Sequence, residues 1–218
     1  MKILIATGNP SKVKEIVAVL GSGPVTGIQW LCLSDLGRPI AEPFEDGATH
    51  EQNASLKARY YSKAAGMWAL ADDSGLEVDA LGGEPGVHSA YYARESAGRP
   101  RPERDAANNA KLTAALRGMP EERRSARFRC CLALADADRI VAMAEGQVAG
   151  IIMDEPRGEN GFGYDPHFLI PELGKTTAEL TPDQKNKISH RGRALIAMSE
   201  QLERFRQKGL NDSRRQVS

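Results

Sequence analysis

Apolar positions along this chain switch repeatedly between a spacing near two and a spacing near three and a half, so strands and helices alternate. Lys2 to Ala6 reads as a short apolar strand, and Thr7 to Ser11 as the loop leaving it. From Lys12 to Leu20 the residues Val13, Ile16, Val17 and Leu20 share one face, which predicts an amphipathic helix stopped by Gly21-Ser22-Gly23-Pro24. A second strand is expected from Ile28 to Leu33, followed by a loop from Ser34 to Gly47. Thr49 to Gly66 is a strong helix, with Thr49 and Gln52 spaced as a capping box. The run Met67 to Ala71 reads as a buried strand that stops at Asp72-Asp73, with Ser74-Gly75 as the turn ending it.

Beyond that point Leu76 to Ala80 is a brief extended piece and Leu81 to Gly86 a turn. Arg94 to Arg104 is polar and arginine-rich around Gly98-Arg99-Pro100, which predicts a mobile loop, and Asp105 to Leu116 a helix. Arg127 to Ala135 and Ile140 to Gln147 alternate as a hairpin turned by Asp136-Ala137-Asp138, and Val148 to Met153 continues that sheet. Gly158 to Pro166 is a Gly-rich loop, Phe168 to Ile170 a short strand and Ser189 to Arg206 the last helix. Residues 1–208 are expected to form one domain, and 209–218 a frayed tail. The alternation argues for an α/β fold, an elongated mixed sheet with flanking helices rather than a regular doubly wound one.

Charge and composition narrow the function by exclusion. Lys+Arg and Asp+Glu balance at 29 each, so net charge gives no argument for nucleic acid or a membrane surface. No apolar run approaches a membrane span, and Gly8-Asn9-Pro10 interrupts the start too early for a signal peptide. Cys32, Cys130 and Cys131 lack metal-ligand spacing. The cytosol is the expected compartment.

Four stretches carry candidate chemistry. Side chains alternate faces along a strand, so Asp72 and Asp73 point apart, and one can face a ligand while the other braces the loop. Adjacent acids suit a hard cation such as magnesium. Thr7-Gly8-Asn9-Pro10-Ser11-Lys12 joins strand to helix, where free amides and the Lys12 charge suit a phosphate, although the Walker pattern is missing. In Gly161-Phe162-Gly163-Tyr164-Asp165, glycines flanking Phe162 leave its ring free to stack on a flat heterocycle, with Asp165 placed to accept from a base edge. Ser189 can cap the last helix, and His190-Arg191 in its first turn oppose the macrodipole, which points to a ligand with acceptor oxygens. Taken singly, each stretch also fits a plainer role: a solvated turn, a helix cap, a hairpin loop with a core-facing Phe, a structural His.

Together these stretches resemble the inosine triphosphate pyrophosphatase family, also called the Ham1-like or RdgB-like proteins, from Lys2 to about Leu195. The resemblance rests on Thr7-Gly8-Asn9 with Lys12, Asn53-Ala54, Lys57-Ala58, Ala71-Asp72-Asp73-Ser74-Gly75-Leu76 and Leu81-Gly82-Gly83 with Pro85-Gly86-Val87. It continues in Gly161-Phe162-Gly163-Tyr164-Asp165-Pro166, Gly174-Lys175-Thr176, Ala178-Glu179-Leu180 and Ser189-His190-Arg191-Gly192. It implies two lobes around a central nucleotide cleft, a homodimer, and magnesium-dependent hydrolysis of dITP, ITP and XTP to the monophosphate and pyrophosphate. Residue by residue, Thr7, Gly8, Asn9, Pro10, Ser11 and Lys12 would line the triphosphate. Asp73 would be the catalytic acid near the metal, with Asp72 beside it and Ser74 on the substrate. Phe162, Gly163, Tyr164 and Asp165 would hold the base, Lys185 would reach phosphate or base, and a cationic His190-Arg191 pair would read the purine oxo group.

The chain also departs from that family. Glu45 is the choice for a further metal ligand, with Glu42 in reserve. His50 stands where an aromatic is common, Tyr91-Tyr92-Ala93-Arg94 replaces a more usual Ser-Ala-Arg-Tyr run, and the Arg94 to Arg104 stretch is not typical and receives no role. Two rival readings keep the pocket: a nucleotide-binding regulator without turnover, and a Maf-like pyrophosphatase for pyrimidine or ordinary nucleotides.

Overall fold

In a computed structural model, which describes residues 1–21 and 27–215 and those from 206 onward as backbone alone, one mixed sheet runs the length of the molecule. Its strands are β1 (Lys2–Ile5), β2 (Gln29–Cys32), β3 (Trp68–Val78), β4 (Ser125–Asp136), β5 (Arg139–Ile152), β6 (Phe168–Ile170) and β7 (Lys175–Thr176). They lie in the order β2-β1-β3-β4-β5-β6-β7. β1 pairs parallel with both β2 and β3, and every later pairing is antiparallel. The helices are α1 (Pro10–Gly21), α2 (His50–Ala65), α3 (Arg101–Ala115), α4 (Pro182–Ile188) and α5 (His190–Arg215). This is the elongated mixed sheet with flanking helices that the sequence predicts.

The long strands β3, β4 and β5 pass through two lobes with separate cores. In the first lobe one sheet face presents Leu70, Leu132 and Leu134 to α1 and α5 through Ile16, Leu195 and Met198. The opposite face presents Ala69, Ala71 and Ala133 to Ala54, Ala58 and Tyr61 of α2. Further along the same strands, Leu76, Phe128 and Val148 pack with Leu112 and Leu116 of α3 in the second lobe. The change from apolar to polar residues along β3 therefore marks the boundary between lobes, and Asp72, Asp73 and Ser74 fall on it.

Several expectations are corrected. β3 does not stop at the acid pair: Asp72, Asp73, Ser74 and Gly75 pair with Leu132, Cys131, Cys130 and Arg129, and Leu76 to Val78 belong to the same strand. Gly75 is there for close approach rather than for a turn, because a Cβ at that position would lie 2.3 Å from Gly86 O and 2.5 Å from Ser89 Oγ. The arginine-rich stretch is not one loop, since Arg94–Ser96 forms a 3-10 turn and α3 already starts at Arg101 with Pro102 in its first turn. α4 was not foreseen; Thr181 caps it with Gln184 in a capping box. The hairpin turn is tighter than expected, closing at Asp136↔Arg139 with Ala137 at φ 51. Of the expected helix stop at 21–24 and the expected tail at 209–218, residues 22–24 and 216–218 lie outside the described residues, while the helical backbone of α5 is described to Arg215.

Candidate active site

β1 covers the edge of β3 only from Ile3↔Trp68 to Ile5↔Leu70, and Ala6 N closes this ladder on Leu70 O at 2.8 Å. The chain then turns away through Thr7–Asn9 into α1. From Ala71 no described strand pairs with this edge of β3 until Glu77 bridges Pro85, although Ser89 Oγ accepts from Leu76 N at 2.8 Å. A cleft of about 650 Å³ opens at this gap between the lobes, within the range that holds a small ligand. Because the strand edge itself lines the cleft, side chains from both faces of β3 reach it.

Asp72 projects toward α1 and α5 and is caged. Lys12 Nζ lies 2.5 Å away, Arg191 Nε 2.7 Å, Ser74 Oγ 3.0 Å and Cys130 Sγ 3.3 Å. Burial pushes its pKa up, but Arg191 and Lys12 outweigh burial and hold the carboxyl well below the usual range. Arg191 is fully buried and donates from all three nitrogens, to Asp72, to Glu15 and to Ser74 Oγ at 2.7 Å.

Asp73 projects the other way, toward α2. His50 Nδ1 sits 2.6 Å from Oδ2 and Lys57 Nζ 2.7 Å from Oδ1. Burial again raises the pKa, and His50, Lys57 and Lys12 overcome it, so Asp73 is ionised at neutral pH. Lys57 also reaches Glu45 at 2.9 Å. Burial and the nearby Asp73 carboxylate leave Glu45 with a raised pKa in spite of Lys57.

Two carboxylates held together against their mutual repulsion make an oxygen-donor pair suited to a hard cation. Glu45 and Asp73 fit magnesium in that sense. Asp72 is not brought to them, because strand alternation turns it to the opposite face, where Lys12 and Arg191 already neutralise it. Among the described residues no group of three acids, His or Cys gathers around one point. Glu42 lies by the phosphate-type loop instead, where a Cβ on Gly8 would come 2.8 Å from its Oε1.

That loop is self-capped: Thr7 Oγ1 accepts from Asn9 N at 3.2 Å, and Asn9 Oδ1 accepts from Ser11 N at 3.0 Å. Pro10 opens α1 without an amide donor to satisfy, and Lys12 points into the cleft beside Asp72.

Also lining the cleft is the Gly-rich loop, where Gly161 and Gly163 take positive φ (79 and 62) and Phe162 lies half-buried between them. Arg101 and Lys185 each lie 4.9 Å from its ring centroid, and Arg191 5.7 Å. Asp165 is buried and accepts from Phe162 N (2.8 Å), Thr177 Oγ1 (2.8 Å) and Lys185 Nζ (2.6 Å), so it fixes the loop from beneath. Tyr164 is a core residue whose hydroxyl donates to Ser89 O at 2.9 Å. Ser189 Oγ accepts from Gly192 N at 3.1 Å and caps α5 as its sequence suggests. His190 stacks on Phe128 at 4.8 Å with Nδ1 buried and unpartnered. Burial first, then Arg191 and Lys185, push its pKa well below the ordinary value. The imidazole is therefore neutral at pH 7, which corrects the expectation of a cationic His190-Arg191 pair. The first turn of α5 reaches the cleft because Gly146 of β5 has no side chain; a Cβ there would meet His190 O at 2.1 Å.

The sequence did not disclose the parts played by His50, Lys57, Glu15 and Arg101. A signal exists for two of them: His50, Asn53 and Lys57 are polar residues inside the buried stripe of α2, beside Ala54, Ala58 and Tyr61. A charged or polar residue in an apolar stripe needs a buried partner, and here Asp73 is that partner for two of the three. His50→Phe keeps an aromatic ring and removes the donor to Asp73 Oδ2. A lost hydrogen bond to a charged group is worth about 1.5–3 kcal/mol, so kcat should fall roughly 10- to 100-fold. Steady-state kinetics beside a melting curve checks this; an unchanged kcat with a lowered Tm would make His50 merely structural.

These features define a class: a two-lobed α/β protein whose charged cleft joins a cationic loop, an acidic centre and a flat aromatic platform. The sequence matches the Ham1 family over residues 3–201, and the chain belongs to that family. It is 48% identical over 200 residues to a dITP/XTP pyrophosphatase of Thermus thermophilus, covering 92% of this chain and 91% of that protein. It is 46% identical to the dITP/XTP pyrophosphatase of Bacillus subtilis, covering 92% and 96%. The solved HAM1 protein of Coxiella burnetii superposes with a TM-score of 0.80 at 38% identity, covering 94% of this chain and 99% of that one.

Proposed function

We propose that the cleft hydrolyses deaminated purine nucleoside triphosphates (dITP, ITP and XTP) to the monophosphate and pyrophosphate, with magnesium. The observation that carries this reading is the set of groups gathered around one cleft. Lys12 with the loop of α1, the Asp73–Lys57–Glu45 cluster, and Phe162 among cations all line it. A nucleotide with its base on Phe162 would set its phosphates among Lys12, Lys57 and Asp73. The names of the Thermus and Bacillus relatives support the same substrates.

Glu45 and Asp73 are the residues that would hold magnesium, which when bound supplies positive charge against the phosphate oxygens. Lys12 adds a further charge where water is scarce. Asp73, ionised and anchored from behind by His50, orients the attacking water toward the α-phosphorus. At the base end, neutral His190 lines the cleft, and the field of Lys185 and Arg191 favours acceptor oxygens. Adenine presents an amino donor where hypoxanthine and xanthine present an oxo acceptor, and a mispaired buried polar group costs about 1–3 kcal/mol. Family membership supports a homodimer working in the cytosol.

Pyrophosphate and monophosphate release from dITP, XTP, dGTP, dATP and dTTP tests this reading. Magnesium-dependent release from dITP and XTP, with little from the others, is expected. Tight dITP binding without turnover would instead mean a nucleotide-binding regulator, and preference for dTTP a pyrimidine enzyme.

A further inference from the structure

Of the three cations over the Phe162 ring, two are committed. Lys185 Nζ is held by Asp165 at 2.6 Å and Glu15 at 3.1 Å. Arg191 is held by Asp72, Glu15 and Ser74. Arg101 is not. Its nearest acid is Asp105, whose Oδ2 lies 3.7 Å from Arg101 Nε, beyond hydrogen-bond reach. That same oxygen already accepts from Gly163 N at 3.0 Å. Arg101 Nε is buried with no partner.

The charge on Arg101 is also under-compensated. Burial pushes its pKa down; Asp105 opposes this, while Arg104 and Arg191 act in the same direction as burial. Arg104 turns aside onto the Tyr91 ring, 4.7 Å away. The position of Arg101 is fixed rather than casual. It opens α3, and α3 grips the base loop at both polar groups of Gly163, through Asp105 and through Asn109 Nδ2 to Gly163 O at 2.9 Å. A guanidinium beside a stacking platform, with free donors and only a distant ion pair to Asp105, is built for an acceptor-rich or anionic planar ligand.

We propose that Arg101 is a specificity-determining residue that reads position 2 of the purine and favours xanthine. This rests on the reading of the cleft as a purine nucleotide site. Xanthine differs from hypoxanthine by a 2-oxo acceptor, and its ring gives up a proton near neutral pH far more readily. Both properties match the free donors and unbalanced charge of Arg101. Guanine places an amino donor at position 2, which meets guanidinium donors and is disfavoured. Hypoxanthine places only C–H there and is indifferent. Lys185, Arg191 and His190 would serve the 6-oxo side, which all three bases share, so discrimination among them falls to Arg101.

The test compares wild type with Arg101→Met, which keeps the stem and removes the donors, and Arg101→Lys, which keeps the charge without the planar fork. For Arg101→Met, kcat/KM for XTP should fall about tenfold or more while that for dITP changes less than about threefold. Arg101→Lys should fall between. Independently of turnover, the ultraviolet spectrum of xanthosine 5′-monophosphate titrated with metal-free protein reports the ionisation of the bound base. Wild type should shift that ionisation to lower pH, and Arg101→Met should abolish the shift. Equal losses for XTP and dITP, or the same spectral shift in both proteins, overturns the assignment. A wild type that turns over neither dITP nor XTP fails the functional reading itself; turnover of both with an unmoved ratio fails only the role of Arg101.

Discussion

Asp73→Asn should lower pyrophosphate release from dITP by about 10³-fold, in line with removal of a positioned catalytic carboxylate, while the protein remains folded. The substitution preserves shape and leaves one oxygen for His50 or Lys57, so packing around β3 is spared. What it removes is the negative charge shared with Glu45 against the Lys57 ammonium. The remaining Glu45–Lys57 pair cannot replace it, because Glu45 sits on the loop before α2 whereas Asp73 projects from the strand edge. Initial rates with a matched melting curve decide the matter. Near wild-type turnover in the folded variant would remove Asp73 from the mechanism.

Arg191→Met should instead be felt mainly as instability. The guanidinium neutralises Asp72 and Glu15 together inside the protein, and breaking a buried ion pair from one side costs about 3–5 kcal/mol. For a chain of this size that is a fall in Tm of about 10 °C. The loss has a pH signature. In the wild type the Asp72 pKa is depressed, so its contribution is present above the unfolded carboxylate range and lost only as pH falls through the native value. In the variant Asp72 keeps Lys12 as its one cation, beside Ser74 and Cys130, takes up a proton at higher pH and relieves its own penalty. The Tm gap between the two proteins should therefore narrow as pH is lowered from 7 toward 4. A variant as stable as wild type, altered only in its dITP to dATP ratio, would make Arg191 a base reader with no structural duty.

Periodicity was sufficient for β1, α1, α2 and the β4–β5 hairpin, because each buries one regular face in a core made largely of its neighbours. It failed where local and tertiary demands look alike. Ser74-Gly75 has the composition of a turn, yet Gly75 answers to the loop at Gly86–Ser89 pressing on the strand. Gly98-Arg99-Pro100 hid the start of α3, and α4 is too short for an apolar stripe to emerge. In the cleft, Asp73, Lys12 and Phe162 stood out through their motifs, and Glu45 fits the donor pair chosen for it. The partners of these residues were invisible, because His50 meets Asp73 across 23 positions and Arg191 meets Glu15 across 176, distances at which no spacing rule operates. Arg101 was hidden for the opposite reason: its significance lies in a bond it does not make.

The opposed directions of the two acids have a consequence for how this protein tolerates change. Which carboxylate meets Lys12 and Arg191 and which meets His50 and Lys57 is decided by nothing in the side chains, since both are Asp; it is decided by the register of β3 on β4, from Ala69↔Ala135 to Val78↔Ala126. A slip of one residue exchanges every inward and outward position of a strand; in one direction it would put Asp73 in the place of Asp72 beside Arg191, and in the other Asp72 in the place of Asp73 beside His50. Either slip would leave one of the two carboxylate positions without an acid, although neither residue had changed. The apolar neighbours that lock this register, Leu70 on one side and Leu76 on the other, guard the placing of the two acids as much as they fill a core.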